Sequence, residues 1–117
     1  MGFLKKILVT GGAGYVGSVL VPKLLSSGYE VIVLDTMFFG DQGLAHVRQD
    51  SKLTVVVGDI RNEQTVRDAL RGVDAVIHLA SISNDPSSDL NPQLTVEVNY
   101  DATVFLAQAA RQAGVKR

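Results

Sequence analysis

The stretch KILVTGGAGYVG, residues 6–17, decides the fold of this chain of 117 residues. Its first five residues form a continuous apolar run rich in β-branched side chains, which is typical of a buried strand. A pair of glycines ends that run abruptly, and a helical spacing of apolar residues begins directly after the turn. A strand, a glycine-rich turn and a helix in this order indicate the start of a βαβ unit.

Three more apolar runs of strand length follow, at residues 30–35, 53–58 and 75–79. Continuous rather than alternating apolarity is typical of strands covered on both faces, as in a parallel sheet. Helix-length stretches separate these runs, and crossovers between parallel strands are right-handed. The sequence therefore predicts an α/β fold: a partial Rossmann-type, doubly wound parallel sheet in strand order 3-2-1-4 with flanking helices.

The first helix is predicted over residues 14–27, with Gly28 as its C-terminal stop. An interior proline removes a backbone donor, so Pro22 is expected to kink this helix without ending it. The apolar spacing predicts that one face packs inward. The members of that face are Val16, Val19, Leu20 and Leu24.

The N-termini of two further helices can be predicted from capping residues. Asn62 is expected to cap a helix over residues 62–71. Asn91-Pro92 is typical of an N-cap followed by a first helical residue, so a long helix is predicted from there to about residue 114. In the helix over residues 62–71, the residues expected to face inward are Val66, Ala69 and Leu70. The long helix is expected to bury two sides, with the residues Leu94, Val98, Phe105, Leu106, Ala109 and Ala110.

Two segments lack a regular pattern. Residues 36–50 are expected to be irregular, with a short helix around residues 44–49. Residues 80–90 are rich in Ser, Asn and Asp and follow the fourth strand directly. Ligands of open α/β sheets bind at this carboxyl-terminal edge of the strands, so we expect the polar loop to border a binding site.

Glycines at positions 11, 14 and 17 give the turn after the first strand a G-x-x-G-x-x-G spacing. Gly11 permits the sharp turn, Gly14 lets the backbone approach a pyrophosphate, and Gly17 lets the helix lie close to the strand. The helix N-terminus then offers N–H groups to the phosphates. The spacing predicts dinucleotide binding, and a glycine-rich turn without a ligand is the alternative. No Gly-Lys-Ser/Thr follows, which argues against a Walker A loop and against phosphoryl transfer.

Asp35 ends the second strand 18 positions after Gly17. Dinucleotide-binding folds place an acid roughly 20 residues beyond their glycines, where it accepts hydrogen bonds from the adenosine ribose. Residues 36–40 contain no Arg or Lys that would attract a 2′-phosphate. The sequence therefore predicts NAD rather than NADP as cofactor. The alternative is a solvated Asp at the end of a strand.

Four motifs in order resemble the extended short-chain dehydrogenase/reductase family, particularly its NAD-dependent sugar-nucleotide epimerases and dehydratases. Residues 10–17 resemble that family's T-G-G-x-G-x-[IV]-G, and residues 58–61 resemble its G-D-[IL]-R/T. Residues 78–81 resemble H-L-A-A, and residues 99–117 resemble N-V-x-G-T…E-A-A-R-x-A-G-V-K-R. The departures, including Ala102 for Gly and Ser81 for Ala, exchange one small residue for another.

The resemblance implies a role for each motif in holding the cofactor. Asp59 would meet the adenine amino group, the next N–H would meet a ring nitrogen, and the turn after His78 would pass along the nicotinamide half. Asn99 would help to organise the active site. The cofactor-binding residues are then Gly11, Gly14, Tyr15, Val16, Gly17, Asp35, Asp59, Ile60, Leu79, Ala80, Ser81 and Asn99.

Several of these polar residues have a structural alternative. Asp59 is also typical of a turn after a strand, and Asn99 of a polar position on an apolar helix. His78 lies inside an apolar strand, so we interpret it as a packed, hydrogen-bonded residue rather than a catalyst. His46 is expected to be exposed. The two histidines, without cysteine or clustered acids, do not form a metal-ligand spacing.

Composition excludes several classes of function. Eleven Lys and Arg face 12 Asp and Glu, and this balance lacks the basic excess of nucleic-acid-binding domains and of polybasic membrane surfaces. No apolar run reaches the length that spans a bilayer. The absence of cysteine removes thiolate chemistry and fits a reducing compartment, so we expect a cytoplasmic protein.

The catalytic pair of the family, Tyr-x-x-x-Lys, is missing from this sequence. Valine stands four positions after each of Tyr15, Tyr29 and Tyr100. We therefore expect residues 1–117 to be the N-terminal part of an NAD-binding Rossmann domain, inactive alone, from a longer enzyme that exchanges hydride between NAD and a nucleotide sugar. The alternative is an NAD-binding sensor or scaffold without turnover. We also expect homo-oligomers, because the fourth strand leaves an open sheet edge.

Overall fold

Four strands and three α-helices lie in the parts of the chain that the computed structural model describes, residues 5–37, 42–80 and 92–116. The strands are β1 (Lys6–Thr10), β2 (Glu30–Asp35), β3 (Leu53–Val57) and β4 (Ala75–His78). The α-helices are α1 (Tyr15–Ser26), α2 (Glu63–Ala69) and α3 (Pro92–Gln112), and a 3₁₀ helix spans Gln42–Val47.

The strands form one parallel sheet in the order β3-β2-β1-β4, which confirms the predicted topology. Thr10 at the end of β1 lies level with Leu34 of β2 and with His78 of β4. Asp35 in turn lies level with Val57 at the end of β3. The carboxyl ends of all four strands therefore meet at one edge of the sheet, where the glycine-rich turn also lies.

Each face of the sheet has its own apolar core, because side chains along a strand alternate between the two faces. Ile7 and Val9 of β1 pack with α1 and the 3₁₀ helix, whereas Leu8 packs with α2 and α3. All three are buried, and burial of such side chains contributes roughly 1.5–3 kcal/mol each. Helices on both faces explain why the strand runs are continuously apolar.

The predicted inner face of α1 is wrong. Val16 and Val19 are 58% and 55% exposed, and the buried residues are Gly17, Val21 and Leu25, each four positions from the next. Leu20 and Leu24 are half-buried. The line of contact passes through a glycine, which carries no apolar signal in the sequence. The helix runs through Pro22 without ending, as predicted.

The remaining helices follow the sequence more closely. The Asn62 side chain accepts a hydrogen bond from the Thr65 N–H at 3.0 Å, which confirms the predicted cap of α2. The predicted short helix in residues 36–50 is present as the 3₁₀ helix, anchored by the buried side chain of Leu44. The buried residues are Val66, Ala69 and Leu70 at α2 and Ala102, Leu106 and Ala109 in α3.

Phe105 is half-buried, packs against the same core as Leu106 and lies under the Arg67 guanidinium, 5.3 Å from the ring centroid, so it does not mark a second apolar side of α3. The side chains of Leu94 and Val98 and the predicted polar loop after Ala80 lie outside the described residues. None of the helices in the described parts is both long enough and apolar enough to cross a membrane.

Candidate functional site

The turn between β1 and α1 begins at Gly11, whose φ of 72° lies in the left-handed region. The Gly11 N–H donates to the Leu34 carbonyl at 2.8 Å, which ties the turn to β2. A Cβ at this position would lie 2.8 Å from the backbone nitrogen of Ala80. Gly11 is therefore needed twice, for the turn and for the close approach of the segment that follows β4.

Gly17 and Gly12 are required by packing inside the protein. A Cβ on Gly17 would overlap the Gly12 carbonyl, so the helix lies directly on the turn, as predicted. A Cβ on Gly12 would lie 2.8 Å from the Val33 side chain. The sequence pattern predicts no separate role for Gly12, since its neighbour Val33 belongs to β2 and no spacing rule connects the two residues.

Gly14 differs from the other glycines of the turn. Its φ of −77° and ψ of −173° suit any residue, and a Cβ there would approach only the Gly11 carbonyl, at 3.3 Å. Backbone strain does not demand a glycine here, and the 3.3 Å approach to the Gly11 carbonyl, although tight, is the mildest conflict in the turn. The weaker internal requirement at Gly14 is consistent with an external group lying against this backbone.

The start of α1 suits an anion. Gly14 is the N-cap, no side chain caps it, and the first turn carries no acid. The first N–H groups of a helix, here those of Tyr15 and Val16, have no intrahelical acceptor. Both side chains are exposed, so their contribution to a site comes from the backbone. These N–H groups and the room at Gly14 fit a pyrophosphate.

Asp35 lies half-buried at the end of β2 and already binds two backbone N–H groups. Its Oδ2 accepts from Ala13 at 3.0 Å, and its Oδ1 accepts from Met37 at 2.8 Å. The Asp35 carbonyl accepts from the Gly58 N–H at 2.9 Å. One residue thus joins the glycine turn to the segments that follow β2 and β3.

The segment after β3 carries Asp59, whose carboxylate is held by the Arg61 guanidinium, with Nη2–Oδ2 at 2.6 Å and Nε–Oδ2 at 2.9 Å. These side-chain hydrogen bonds are the main reason why the pKa of Asp59 is lowered, against a smaller opposing effect of burial. The carboxylate is therefore kept charged, and both of its oxygens already accept hydrogen bonds from Arg61. The Ile60 side chain is buried in the core, so only its backbone faces the edge.

A hydrogen-bonded chain links β1, β4 and α3. The buried Thr10 hydroxyl oxygen accepts from the N–H groups of Leu79 and Ala80 at 3.1 and 3.2 Å. Both lone pairs are then used, so its proton is donated to His78 Nδ1, 2.6 Å away. His78 is consequently neutral, with its proton on Nε2, which donates to Thr103 Oγ1 at 3.0 Å.

This chain of hydrogen bonds confirms the interpretation of His78 as a packed, hydrogen-bonded residue; burial lowers its pKa, which favours the neutral form. His46 is exposed, as predicted. The role of Thr10 was missed. The available signal was its position at the end of β1, in register with a histidine at the end of β4.

The structure brings the predicted residues from all four strand ends to one edge of the sheet. Asn99 lies within α3, its side chain is outside the described residues, and so is Ser81. The described parts also contain a cavity of about 350 Å³ beside β4, away from the glycine turn. Its lining includes Val76, His78, Thr103, Ala107, Arg111 and Lys116.

Residues 7–117 match the model of the NAD-dependent epimerase/dehydratase family. The chain is 36% identical over 116 residues to a UDP-glucose 4-epimerase of Klebsiella pneumoniae, covering 95% of this chain and 84% of that protein. It is 37% identical over 115 residues to a UDP-glucose 4-epimerase of Streptomyces lividans, covering 96% of this chain and 34% of that protein.

Two solved structures share the fold. A dTDP-glucose 4,6-dehydratase of Streptomyces venezuelae with NAD bound gives a TM-score of 0.83 at 41% identity, covering 96% of this chain and 37% of the other. A UDP-glucose 4-epimerase of Thermus thermophilus in complex with NAD gives 0.77 at 35% identity, covering 94% of this chain and 35% of the other. This chain spans about a third of the length of both structures.

Proposed function

Because this chain belongs to the NAD-dependent epimerase/dehydratase family, we propose that it forms the cofactor-binding part of an enzyme that acts on nucleotide sugars. Residues 1–117 would make up the N-terminal part of its NAD-binding domain. The catalytic and substrate-binding parts would correspond to the stretches of the longer relatives that this chain does not match. The enzyme would be cytoplasmic, which the lack of cysteine supports.

The observation that carries this proposal is the open position at Gly14. A Cβ on any of the other glycines of the turn would lie 2.9 Å or less from another atom of the protein, whereas at Gly14 it would meet only the Gly11 carbonyl, at 3.3 Å. The N–H groups at the start of α1 lie beside it, without a side-chain cap. A pyrophosphate supplies both the bulk that excludes a side chain and the acceptors that these groups lack.

The other edge residues would bind the rest of the cofactor. Asp35 accepts hydrogen bonds from the adenosine ribose and repels a 2′-phosphate, so NAD is preferred to NADP. Asp59 accepts from the adenine amino group, and the Ile60 N–H binds a ring nitrogen. The nicotinamide half passes along Leu79, Ala80 and Ser81, near Asn99. Ala80 is held for this purpose by the Thr10 hydroxyl.

Bound NAD would supply the hydride acceptor and donor for a nucleotide-sugar carbon. The residues of this chain would bind and orient the NAD and would exclude water from one side of the site. They include no Tyr-x-x-x-Lys pair to move the proton of a sugar hydroxyl, since valine occupies the fourth position after each tyrosine. The chain alone should therefore bind the cofactor without turnover.

Calorimetric titration of the purified protein with NAD and with NADP tests the proposal. NAD should bind more tightly, and Gly14→Val should abolish binding, because its side chain occupies the space of the pyrophosphate. Gly14→Ala should give an intermediate loss. Circular dichroism must show that the variants remain folded. A folded Gly14→Val protein with unchanged NAD affinity, or a wild type that prefers NADP, would contradict the assignments.

A second candidate is an NAD-binding sensor or scaffold that never performs turnover. The lack of a Tyr-x-x-x-Lys pair in residues 1–117 is consistent with this sensor or scaffold. The two candidates differ in the encoded sequence after Arg117. A Tyr-x-x-x-Lys pair there, with NAD-dependent conversion of UDP- or dTDP-glucose by the longer protein, supports the enzyme. Its absence, with NAD binding retained, supports the sensor.

A further inference from the structure

The Asp35 carboxylate holds two backbone segments whose positions matter for the proposed cofactor site. Oδ2 accepts from the N–H of Ala13, which directly precedes Gly14. Oδ1 accepts from the N–H of Met37, at the start of the segment that leaves β2. Neither contact is needed for ribose recognition, which is the role that the position of Asp35 in the sequence predicts.

Both contacts restrain backbone whose composition or conformation is unusual. Ala13 lies in the middle of the glycine turn, where three of the four surrounding residues are glycines without side chains to pack. Met37 has a φ of 60°, a left-handed conformation that non-glycine residues adopt infrequently. A carboxylate placed between two such segments restrains each of them through a charge-assisted hydrogen bond.

The carboxylate has enough capacity for this role and for the ribose. Its two oxygens offer about four acceptor positions. The N–H groups of Ala13 and Met37 use two of them, one on each oxygen. Among the described residues, the hydrogen bonds to the carboxylate therefore leave one position on each oxygen, as a vicinal diol requires.

We propose that Asp35 is a positioning residue for the glycine turn, which holds Ala13 and thereby fixes the N–H groups at the start of α1 before the cofactor arrives. This inference rests on the proposed function, because its consequence is a preorganised pyrophosphate site. Preorganisation raises affinity by removing the ordering cost from the binding step. Asp35 then contributes to binding at the pyrophosphate as well as at the ribose.

The two contributions are separated by an NAD analogue whose adenosine ribose lacks both hydroxyls, the 2′,3′-dideoxy form. Calorimetry would compare wild type and Asp35→Ala with NAD and with this analogue. If Asp35 positions the turn, Asp35→Ala weakens binding of the analogue by about tenfold, the effect of one lost hydrogen bond to a charged group. Equal affinity of both proteins for the analogue would overturn the proposal.

Asp50 provides a matched control. Its Oδ1 accepts from the Lys52 N–H at 2.9 Å, the same turn across two residues that Asp35 forms with Met37. Asp50 precedes β3 and so lies at the opposite edge of the sheet. Asp50→Ala should leave both affinities unchanged. An equal loss in this variant would overturn the proposal, because it would show a general loss of order.

Amide hydrogen exchange in the cofactor-free protein gives a readout that needs no ligand. The Ala13 N–H should exchange faster in Asp35→Ala, and also in Asp35→Asn, which keeps the volume but has one acceptor oxygen. The Gly11 N–H, bound to the Leu34 carbonyl, should change less. Failure of wild type to bind NAD would contradict the proposed function alone, whereas an unchanged Ala13 exchange rate in both variants would overturn this inference.

Discussion

The two sides of β1 are completed to different degrees. On one side, β2 and β3 follow in register, and the carboxyl ends are joined by Gly11 to Leu34, by Ala13 to Asp35 and by Gly58 to Asp35. On the other side, among the described residues, β4 pairs with β1 alone and borders a cavity of about 350 Å³. Among the described residues both halves end in an edge strand, β3 in one and β4 in the other, so they differ in the turn contacts of the first half and the cavity of the second.

The two sides of β1 therefore differ in the contacts that hold their backbone in place. The glycine turn is bound toward β2, by Gly11 to Leu34 and by Ala13 to Asp35, and on its other side Gly11 is approached closely by Ala80, which follows β4. The β4 edge presents unpaired N–H and C=O groups, which favour pairing with another strand. Substitutions on the two sides should therefore differ in kind: on the first they change stability and affinity, on the second they change association.

The largest effect is expected from Gly17→Ala, which tests whether the turn side depends on close packing. The added Cβ would overlap the Gly12 carbonyl, and overpacking of this kind costs about 3 kcal/mol at the upper end of its usual range. Alanine favours helices over glycine by only about 1 kcal/mol, so the steric cost should dominate. Urea denaturation measures the change in the free energy of unfolding.

The control for Gly17→Ala is Val19→Ala on the exposed face of α1. This variant should change the free energy of unfolding by no more than about 0.5 kcal/mol. A Gly17→Ala protein as stable as wild type would show that α1 can shift away from the turn at little cost. Close packing at Gly17 would then not distinguish the stability of the turn side of β1 from that of the β4 side.

The next largest effect is expected at the β4 side, where we predict self-association. The open strand edge and the cavity beside it favour contact with a second copy, and each large apolar side chain buried adds roughly 1.5–3 kcal/mol. Light scattering at tens of micromolar should show a dimer or larger assembly. A monodisperse monomer of 12.5 kDa with a cooperative melt would contradict this prediction.

Two lysine substitutions on α3 sharpen this test. Ala107 is exposed and lines the cavity together with Arg111 and Lys116, so Ala107→Lys adds a third positive charge there and should reduce association. Gln108 is exposed and does not line the cavity, so Gln108→Lys should leave association unchanged. Equal behaviour of the two variants would place the contact elsewhere.

The smallest effect is expected from the pH dependence of the Thr10–His78–Thr103 chain, which lies on the β4 side. Burial lowers the pKa of His78 below its ordinary 6.5. Arg111 and Lys116 line the same cavity as His78, and no acidic side chain is among its described lining residues. The unfolded chain then binds the proton first as the pH falls, so the folded state loses stability below about pH 6.5 and is unaffected above it.

Chemical denaturation between pH 5 and 8 measures this loss, whose slope for one group is at most about 1.4 kcal/mol per pH unit. His78→Gln should remove the slope in this window, and His46→Gln, at an exposed histidine, should retain it. The lowered pKa of Asp59 acts in a more acidic range and does not interfere. A slope that persists in His78→Gln would show that another group titrates.

Much of the fold could be predicted because its signals are local. Each strand is a continuous apolar run, and the turn with Gly11 and Gly17 lies within seven residues. The inner face of α1 was missed because it was inferred from the apolar residues alone, whereas its contact line begins at Gly17, the residue predicted to lie close to the strand. A contact made by a glycine adds no apolar residue to the sequence pattern of the helix.

The site was less accessible to sequence reasoning because several of its contacts join distant residues. Thr10 and His78 are 68 positions apart, and neither type of residue indicates the other. Asp35 was predicted from its distance to the glycines, but its bond to Ala13 depends on how β2 lies beside the turn. Sequence spacing indicated where a cofactor would bind, and only the sheet register shows what holds the site in shape.

The order of the strands also sets an order of events in folding. β1 pairs with β2 across 24 residues, but with β4 across 68. Closing the longer loop costs about 0.9 kcal/mol more chain entropy, so the β1–β2 pair is expected to form first. During synthesis β2 also leaves the ribosome well before β4, and one side of β1 stays unpaired in the interval. β1, an inner strand of the complete sheet, is therefore expected to be an edge strand at first. The hydrogen bonds from the residues after β4 to Thr10 are expected to form last.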